Sequence, residues 1–187
     1  MKPVIETAEL RLLPVAMDDL DRLAALLWER EVRRYLTDDR RIPRPEVADY
    51  FLRSDALDAD GLGLWTLWTA DSRFAGCAGL LPITYAAPAE LAIEGDIEPL
   101  LALLPGFWGR GLASRALAEL TRYAFETLRL PRLVASADEP NDRAHRLMER
   151  GGFRRIGEGP GPKHRLVFYA KAAGDRAARR RPEAEIA

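Results

Sequence analysis

Within "LLPGFWGRGLASRALAEL" (103–120), Gly106, Gly109, Arg110 and Gly111 lie directly ahead of a run with helical spacing. The first backbone N–H groups of a helix have no intrahelical partners and sit at the positive end of the helix dipole, so they attract anions. Glycine admits backbone conformations closed to other residues and lets a ligand approach the main chain. Arg110 adds a cation, and Ala113 and Ser114 leave room beside the first turn. These residues suit a phosphate cradle, and they also suit a plain strand-to-helix turn that uses glycine only for its geometry. Two nucleotide motifs fit poorly. A Walker loop ends in Gly-Lys-Ser/Thr, and "GRGLAS" has no lysine. A dinucleotide fingerprint reads G-x-G-x-x-G, whereas the order here is G-x-x-G-x-G-x-A.

The turn must be held between a strand and a helix, and the flanking sequence supplies both. Ala113, Ala116, Leu117, Leu120, Ala124 and Leu128 form an apolar stripe, which predicts a core-facing helix of about 16 residues. "IEPLLALL" predicts the strand before it, with a bulge or bend near Pro99, because proline lacks a ladder donor. "RLVASAD" predicts the next strand, "NDRAHRLMER" a helix closed by Gly151 and Gly152, and "HRLVFYAKA" a final strand. In the first half, "ELRLLPV" reads as a strand and "AMDDLDRLAALLWEREVRRYL" as one or two helices. "EVADYFLRSDAL" predicts a further helix, "LWTLWTA" and "RFAGCAGLLPI" a hairpin across "DSR", and "TYAAPAELAIEGD" a loop.

A chain of 187 residues suits one domain with a sizeable core. Residues 1–172 are assigned to it, and 173–187 are read as a disordered charged tail with little to bury. Lys and Arg number 28 against 29 Asp and Glu, so there is no overall pull toward nucleic acid or an acidic membrane. The single cysteine, Cys77, excludes an intramolecular disulfide and a cysteine-rich zinc site, and reads as a small buried hydrophobe. No apolar run reaches the roughly 20 residues of a membrane span, and no signal-peptide core is evident, which predicts a cytoplasmic protein.

The run from "IEPLLALLPGFWGRGLASRAL" through "RLVASADEPNDRAHRLMERGGFRRIG" resembles the acetyl-CoA-binding half of a GNAT N-acetyltransferase. "PGFWGRGLAS" and N-x-x-A-x-x-x-M-x-x-x-G-F are similar to the branch of ribosomal-protein N-terminal acetyltransferases of the Rim type. The resemblance spans residues 5–171, strong in the second half and loose between 37 and 96. It implies an α/β GNAT fold: a mixed, mostly antiparallel, splayed sheet of about seven strands flanked by helices. It also implies acetyl-CoA as cosubstrate, no metal, an amine acceptor, and a monomer or homodimer. By carry-over, Leu103 and Leu104 offer backbone groups to pantetheine, and Trp108, Gly109, Arg110, Gly111, Leu112 and Ala113 wrap the pyrophosphate. Asn141 matches an asparagine that contacts the cofactor, and it also suits a helix N-cap.

Acetyl transfer needs a neutral amine, a stabilised oxyanion and a proton for the departing thiolate. The resembled branch often carries Glu at the place of Glu98, which makes Glu98 the expected base, acting through water; Glu94 is a weaker second choice. Met148 stands where many relatives place a tyrosine acid, and Ala144 where Rim-type enzymes often use serine. Tyr123 and Tyr169 remain as possible donors, and His145 is expected to be a surface residue. Trp28, Tyr35, Tyr50, Trp65 and Trp68 lie where the family builds its acceptor wall. The favoured reaction is direct attack of a primary amine in a ternary complex. A catalytically silent acyl-CoA-binding or interaction domain is the alternative.

Overall fold

The fold is a single mixed sheet with helices on both faces. The computed structural model describes residues 1–175. Its strands are β1 (Ile5–Glu6), β2 (Leu10–Pro14), β3 (Gly63–Thr69), β4 (Phe74–Pro82), β5 (Ile97–Leu103), β6 (Arg132–Asp138), β7 (Arg154–Gly159) and β8 (Leu166–Ala172). They lie in the order β1-β2-β3-β4-β5-β6-β8-β7. β1 to β5 are antiparallel neighbours, as are β6, β8 and β7. The two groups meet through one parallel pair, Ile97 with Leu133, so the sheet forks beyond that point.

The helices are α1 (Leu20–Trp28), α2 (Arg30–Leu36), α3 (Arg44–Ala56), α4 (Leu112–Arg122) and α5 (Asp142–Arg150). A π-helical turn, Tyr123–Thr127, extends α4. On one face α1, α2 and α3 pack Leu23, Leu26, Val47 and Phe51 against Cys77 and Ala102. On the other, Ala116, Leu117 and Leu120 of α4 pack with Leu67, Leu103 and Leu133, and Met148 of α5 joins them. Each fully buried leucine contributes about 1.5–3 kcal/mol relative to exposure, so the two layers hold the sheet from both sides. The chain start is tied down as well. Lys2 Nζ donates to the Ser54 carbonyl at 3.1 Å and lies 3.1 Å from Asp58 Oδ1. Among the described residues no helix is long and apolar enough to cross a membrane.

Three points differ from the sequence reading or extend it. The sheet has eight strands rather than about seven: β1 has only 2 residues, and β7, "RRIGEG", is mostly exposed and lacks the apolar alternation that marks a strand. No bulge forms at Pro99, because the β4–β5 register runs without interruption from Gly76↔Leu103 to Pro82↔Ile97. The hydrogen bonds from Leu104 N to Ala75 O and from Ile83 N to Asp96 O show that even-numbered β5 residues bond to β4. Odd-numbered ones face β6, so the donor that Pro99 lacks would point into the fork, where no strand needs it. The expected charged tail begins at 173, but Ala173 N still donates to Pro131 O at 2.9 Å. From residue 176 the tail lies outside the described residues.

Candidate active site

The fork is closed at one end and open at the other. At the closed end, Arg132 Nε donates to Asp96 Oδ1 at 3.0 Å, and Arg132 Nη2 donates to the Ala92 carbonyl at 2.7 Å. This clamp joins the starts of β5 and β6 beside their one shared pair. Beyond it, Leu101 and Leu103 turn their peptide groups toward β6 without reaching it. From Glu98 to Leu104 the open side of β5 runs for roughly 20 Å at the rise of an extended strand. The Leu104 N–H is already given to Ala75 O, and the Leu104 carbonyl accepts from Phe107 N, both at 2.9 Å. The backbone groups free for a ligand are therefore those of Leu101 and the N–H of Leu103, since the Leu103 carbonyl accepts from the Trp108 indole.

At the open end the glycine turn makes a nest of donors. The chain passes through a short 3₁₀ turn, Pro105–Phe107, and then Gly109 (φ 74°) and Gly111 (φ 77°) take left-handed conformations that carry it into α4. The N–H groups of Gly109, Arg110, Gly111, Leu112, Ala113 and Ser114 have no backbone partner among the described residues; the first helical bond is Arg115 N to Gly111 O. A Cβ added at Gly106 or Gly109 would meet no atom within 4 Å, so open space lies before them. Arginines surround it. Arg115 Nη1 holds the Arg110 carbonyl at 2.9 Å, Arg73 and Arg110 lie over the Phe107 ring, and Arg143 stacks 4.1 Å from the Trp108 ring centroid. Trp108 is pinned by its indole N–H, which donates to the Leu103 carbonyl at 2.8 Å. The expected pyrophosphate-wrapping residues thus lie together at one end of the fork, with donors unspent and positive charge nearby.

Glu98 lies near the apex. Even-numbered β6 residues face the fork, so the Ser136 N–H points toward β5. No β5 carbonyl meets it. The Glu98 carboxylate takes that place, accepting from Ser136 N at 2.6 Å and from Ser136 Oγ at 2.8 Å. Tyr85 Oη completes the group, 3.1 Å from both carboxylate oxygens and 2.9 Å from Ser136 Oγ. Burial pushes the Glu98 carboxyl above the ordinary range, while the donors from Ser136 and Tyr85 pull it part of the way back. The Tyr85 hydroxyl is pushed well above its usual value by burial and by the adjoining carboxylate. Sequence reading did not find Tyr85. It lies in the irregular segment "TYAAPAELAIEGD", and only the way the chain returns after β4 brings it to Glu98.

Residues 9–154 match the acetyltransferase (GNAT) domain. This chain belongs to the GNAT acetyltransferase family. The FsC-acetyl coenzyme A-N(2)-transacetylase of Aspergillus fumigatus is 25% identical over 157 residues, 83% of this chain, and the chain spans 66% of that relative's length. A solved RimL ribosomal L7/L12 α-N-protein acetyltransferase in complex with coenzyme A is 18% identical, with 91% of this chain and 98% of that one covered at a TM-score of 0.73. A spermidine N-acetyltransferase from Vibrio cholerae, solved with CoA and spermine, has 18% identity and a TM-score of 0.73, with 90% and 98% covered. The two solved structures establish the fold.

Beyond the fork, the side chains that the sequence offered as proton donors or cofactor contacts are bonded or buried. Asn141 caps α5, its Oδ1 accepting from Ala144 N at 3.3 Å. Met148 is buried among α4 and α5 side chains. Tyr123 donates to the Gly61 carbonyl at 3.1 Å, away from the fork. His145 is half-buried rather than a surface residue, with Nε2 2.9 Å from the Glu139 carbonyl and Nδ1 2.8 Å from Tyr169 Oη. A carbonyl only accepts, so in the neutral ring Nε2 carries the proton and Nδ1 accepts from the Tyr169 hydroxyl. Tyr123 and Tyr169 are therefore committed elsewhere, and Tyr85 is the hydroxyl that adjoins Glu98.

Of the aromatics expected to form an acceptor wall, Tyr50 lines an apolar cavity beside the sheet, whereas Trp65 is fully buried and donates to Pro3 O. Trp28 donates to the Ile42 carbonyl at 2.7 Å, and Trp68 packs edge-on against Phe74. Tyr35 Oη donates to the Pro140 carbonyl at 3.2 Å and so joins α2 to the turn before α5.

Proposed function

We propose that this GNAT protein acetylates primary amines from acetyl-CoA in a ternary complex, with Glu98 as the proton acceptor and the α-amine of a protein or peptide as favoured acceptor. The observation that carries the reading is a carboxylate of raised pKa near the apex of a fork whose open end is lined with unspent N–H groups. Bound acetyl-CoA supplies the activated acyl group as a thioester. The Gly109–Ser114 nest and Arg110 hold its diphosphate, and Leu101 and Leu103 present peptide groups along the pantetheine path. Asn141, which caps α5 just beyond β6, is the further cofactor contact that the family resemblance assigns. Direct transfer fits the cysteine chemistry: Cys77 is buried and its thiol is pushed up to about 12, so it is no nucleophile at neutral pH.

The favoured acceptor follows from proton affinity. Three hydrogen bonds hold back part of the rise that burial gives the Glu98 carboxyl, so an amine that is already partly neutral asks least of it. An α-amine with a pKa near 7.7–8.0 is roughly a tenth to a sixth neutral at pH 7, against about one part in a few thousand for a lysine amine. Small primary amines share the requirement, and one structural relative is a spermidine N-acetyltransferase.

The test follows free CoA with a panel of peptide α-amines, Nα-blocked lysine and polyamines, beside calorimetry of acetyl-CoA binding. Faster release with α-amines is the expected result, and equal release from blocked lysine would remove the preference. Binding with only background release from every amine would support a silent acyl-CoA-binding domain, a reading favoured by Ala144 and Met148 at the two usual acid positions. No binding would remove both.

A further inference from the structure

The α1–α3 face of the sheet holds a cavity of about 110 Å³ in which hydrocarbon makes nearly the whole wall. Val47 and Cys77 form its buried floor, while Leu36, Tyr50, Leu81 and Leu100 are half-exposed at its mouth. Among the described residues no carboxylate lines it. Thr37 and Tyr50 bring the hydroxyls of its lining, and that of Thr37 is spent on the Arg40 carbonyl at 2.7 Å.

The cavity adjoins the proton acceptor by construction. Leu81 is the direct cross-strand partner of Glu98, and Leu100 follows Glu98 by two residues, so all three side chains share one sheet face. Directly opposed Cβ atoms are about 4.5–5.5 Å apart in such a pair. A nitrogen near the Glu98 carboxylate, or one water away from it, therefore has its own carbon substituent at the cavity mouth. An enclosed apolar cavity of about 150 Å³ takes benzene, and a lining of the same chemistry that is open at its mouth suits a hydrocarbon group. A charged ammonium placed here would lose its hydration with no carboxylate to replace it.

Resting on the acetyl-transfer reading, we infer that the cavity is the acceptor's specificity pocket and takes a branched aliphatic or aromatic group borne on the carbon next to the amine. The acceptor class is then a primary amine with an apolar α-substituent, such as a chain beginning with leucine or phenylalanine. Polyamines and aminoglycosides fall outside it. Each buried methylene is worth about 10-fold or more in discrimination.

The experiment compares leucinamide, phenylalaninamide, glycinamide and spermidine by free-CoA release, in the wild type and in Leu36→Trp, which fills the mouth. Coenzyme A calorimetry shows that the variant is folded. In the wild type kcat/KM for leucinamide or phenylalaninamide is expected to exceed that for glycinamide and spermidine at least tenfold. In Leu36→Trp the ratio to glycinamide, which is also an α-amine, falls to within about threefold, chiefly through KM. Leu36→Asp, with a carboxylate at the mouth, moves preference toward spermidine. Comparable use of glycinamide or spermidine by the wild type would overturn the pocket while leaving acetyl transfer intact, as would a ratio that survives Leu36→Trp. If no amine releases CoA, acetyl transfer fails and leucinamide calorimetry decides the pocket alone. Weaker binding in Leu36→Trp then supports it, and absent or unchanged binding overturns it.

Discussion

The Glu98 carboxyl is held between burial, which raises its pKa, and donors from Ser136 and Tyr85, which lower it. Glu98→Gln keeps the shape and removes the proton acceptor, so kcat/KM is expected to fall about 100-fold, with loss of the acidic limb of the pH profile. Tyr85→Phe removes a stabilising donor, which raises the carboxyl pKa further and moves that limb to higher pH; an unmoved limb would dissociate Tyr85 from Glu98. Stability carries the opposite sign. A carboxyl with a higher pKa folded than unfolded favours the fold below its unfolded value, and this contribution is lost as pH rises through the folded value. Glu98→Gln is therefore expected to gain stability over the wild type as pH rises from 4 to 8, measured by urea denaturation. Glu98 was legible because the family resemblance places a glutamate there. Tyr85 was not, since no periodicity or spacing ties a loop tyrosine to a strand residue 13 positions on.

The hairpin announces itself as two short apolar runs joined by a turn and α4 through its period of 3.6, and the helix with its π-helical extension ends within a residue of the expected length. β7 escaped because most of its side chains face solvent, so pairing with β8 alone defines it. The Pro99 expectation failed for a different reason: the missing donor matters only on a side that has a neighbour, and which side that is depends on register. Two substitutions test how the elements hold their ends. Gly111→Ala forces a side chain onto a φ of 77° and places a Cβ 2.8 Å from Arg115 Nη1. It is expected to destabilise by about 1–2 kcal/mol and to weaken coenzyme A binding by calorimetry. Lys2→Met keeps the apolar stem but leaves the Ser54 carbonyl unpaired, a cost of about 1–3 kcal/mol. Because Lys2 lies outside the fork, its denaturation midpoint should drop while coenzyme A affinity stays unchanged.

At the scale of the whole molecule, two antiparallel halves share one parallel pair and the Asp96–Arg132 clamp, and a ligand in the fork would touch both. Coenzyme A at about 100 times its Kd contributes roughly 2.7 kcal/mol to the folded state. For a chain of this size that is a rise in Tm of about 5–10 °C. A scan with and without ligand measures it, and no shift would mean that coenzyme A does not bind the folded chain. The same geometry bears on solubility. Without ligand, the fork presents two unpaired strand margins, the kind of surface on which another chain can add itself as a strand. Pro99 removes one donor from the β5 margin, and Glu98 already holds the Ser136 donor on the β6 margin. A proline that reads as a flaw in a strand thus acts as a guard against self-association while the fork is empty, and Pro99→Val is expected to aggregate in light scattering unless coenzyme A is present.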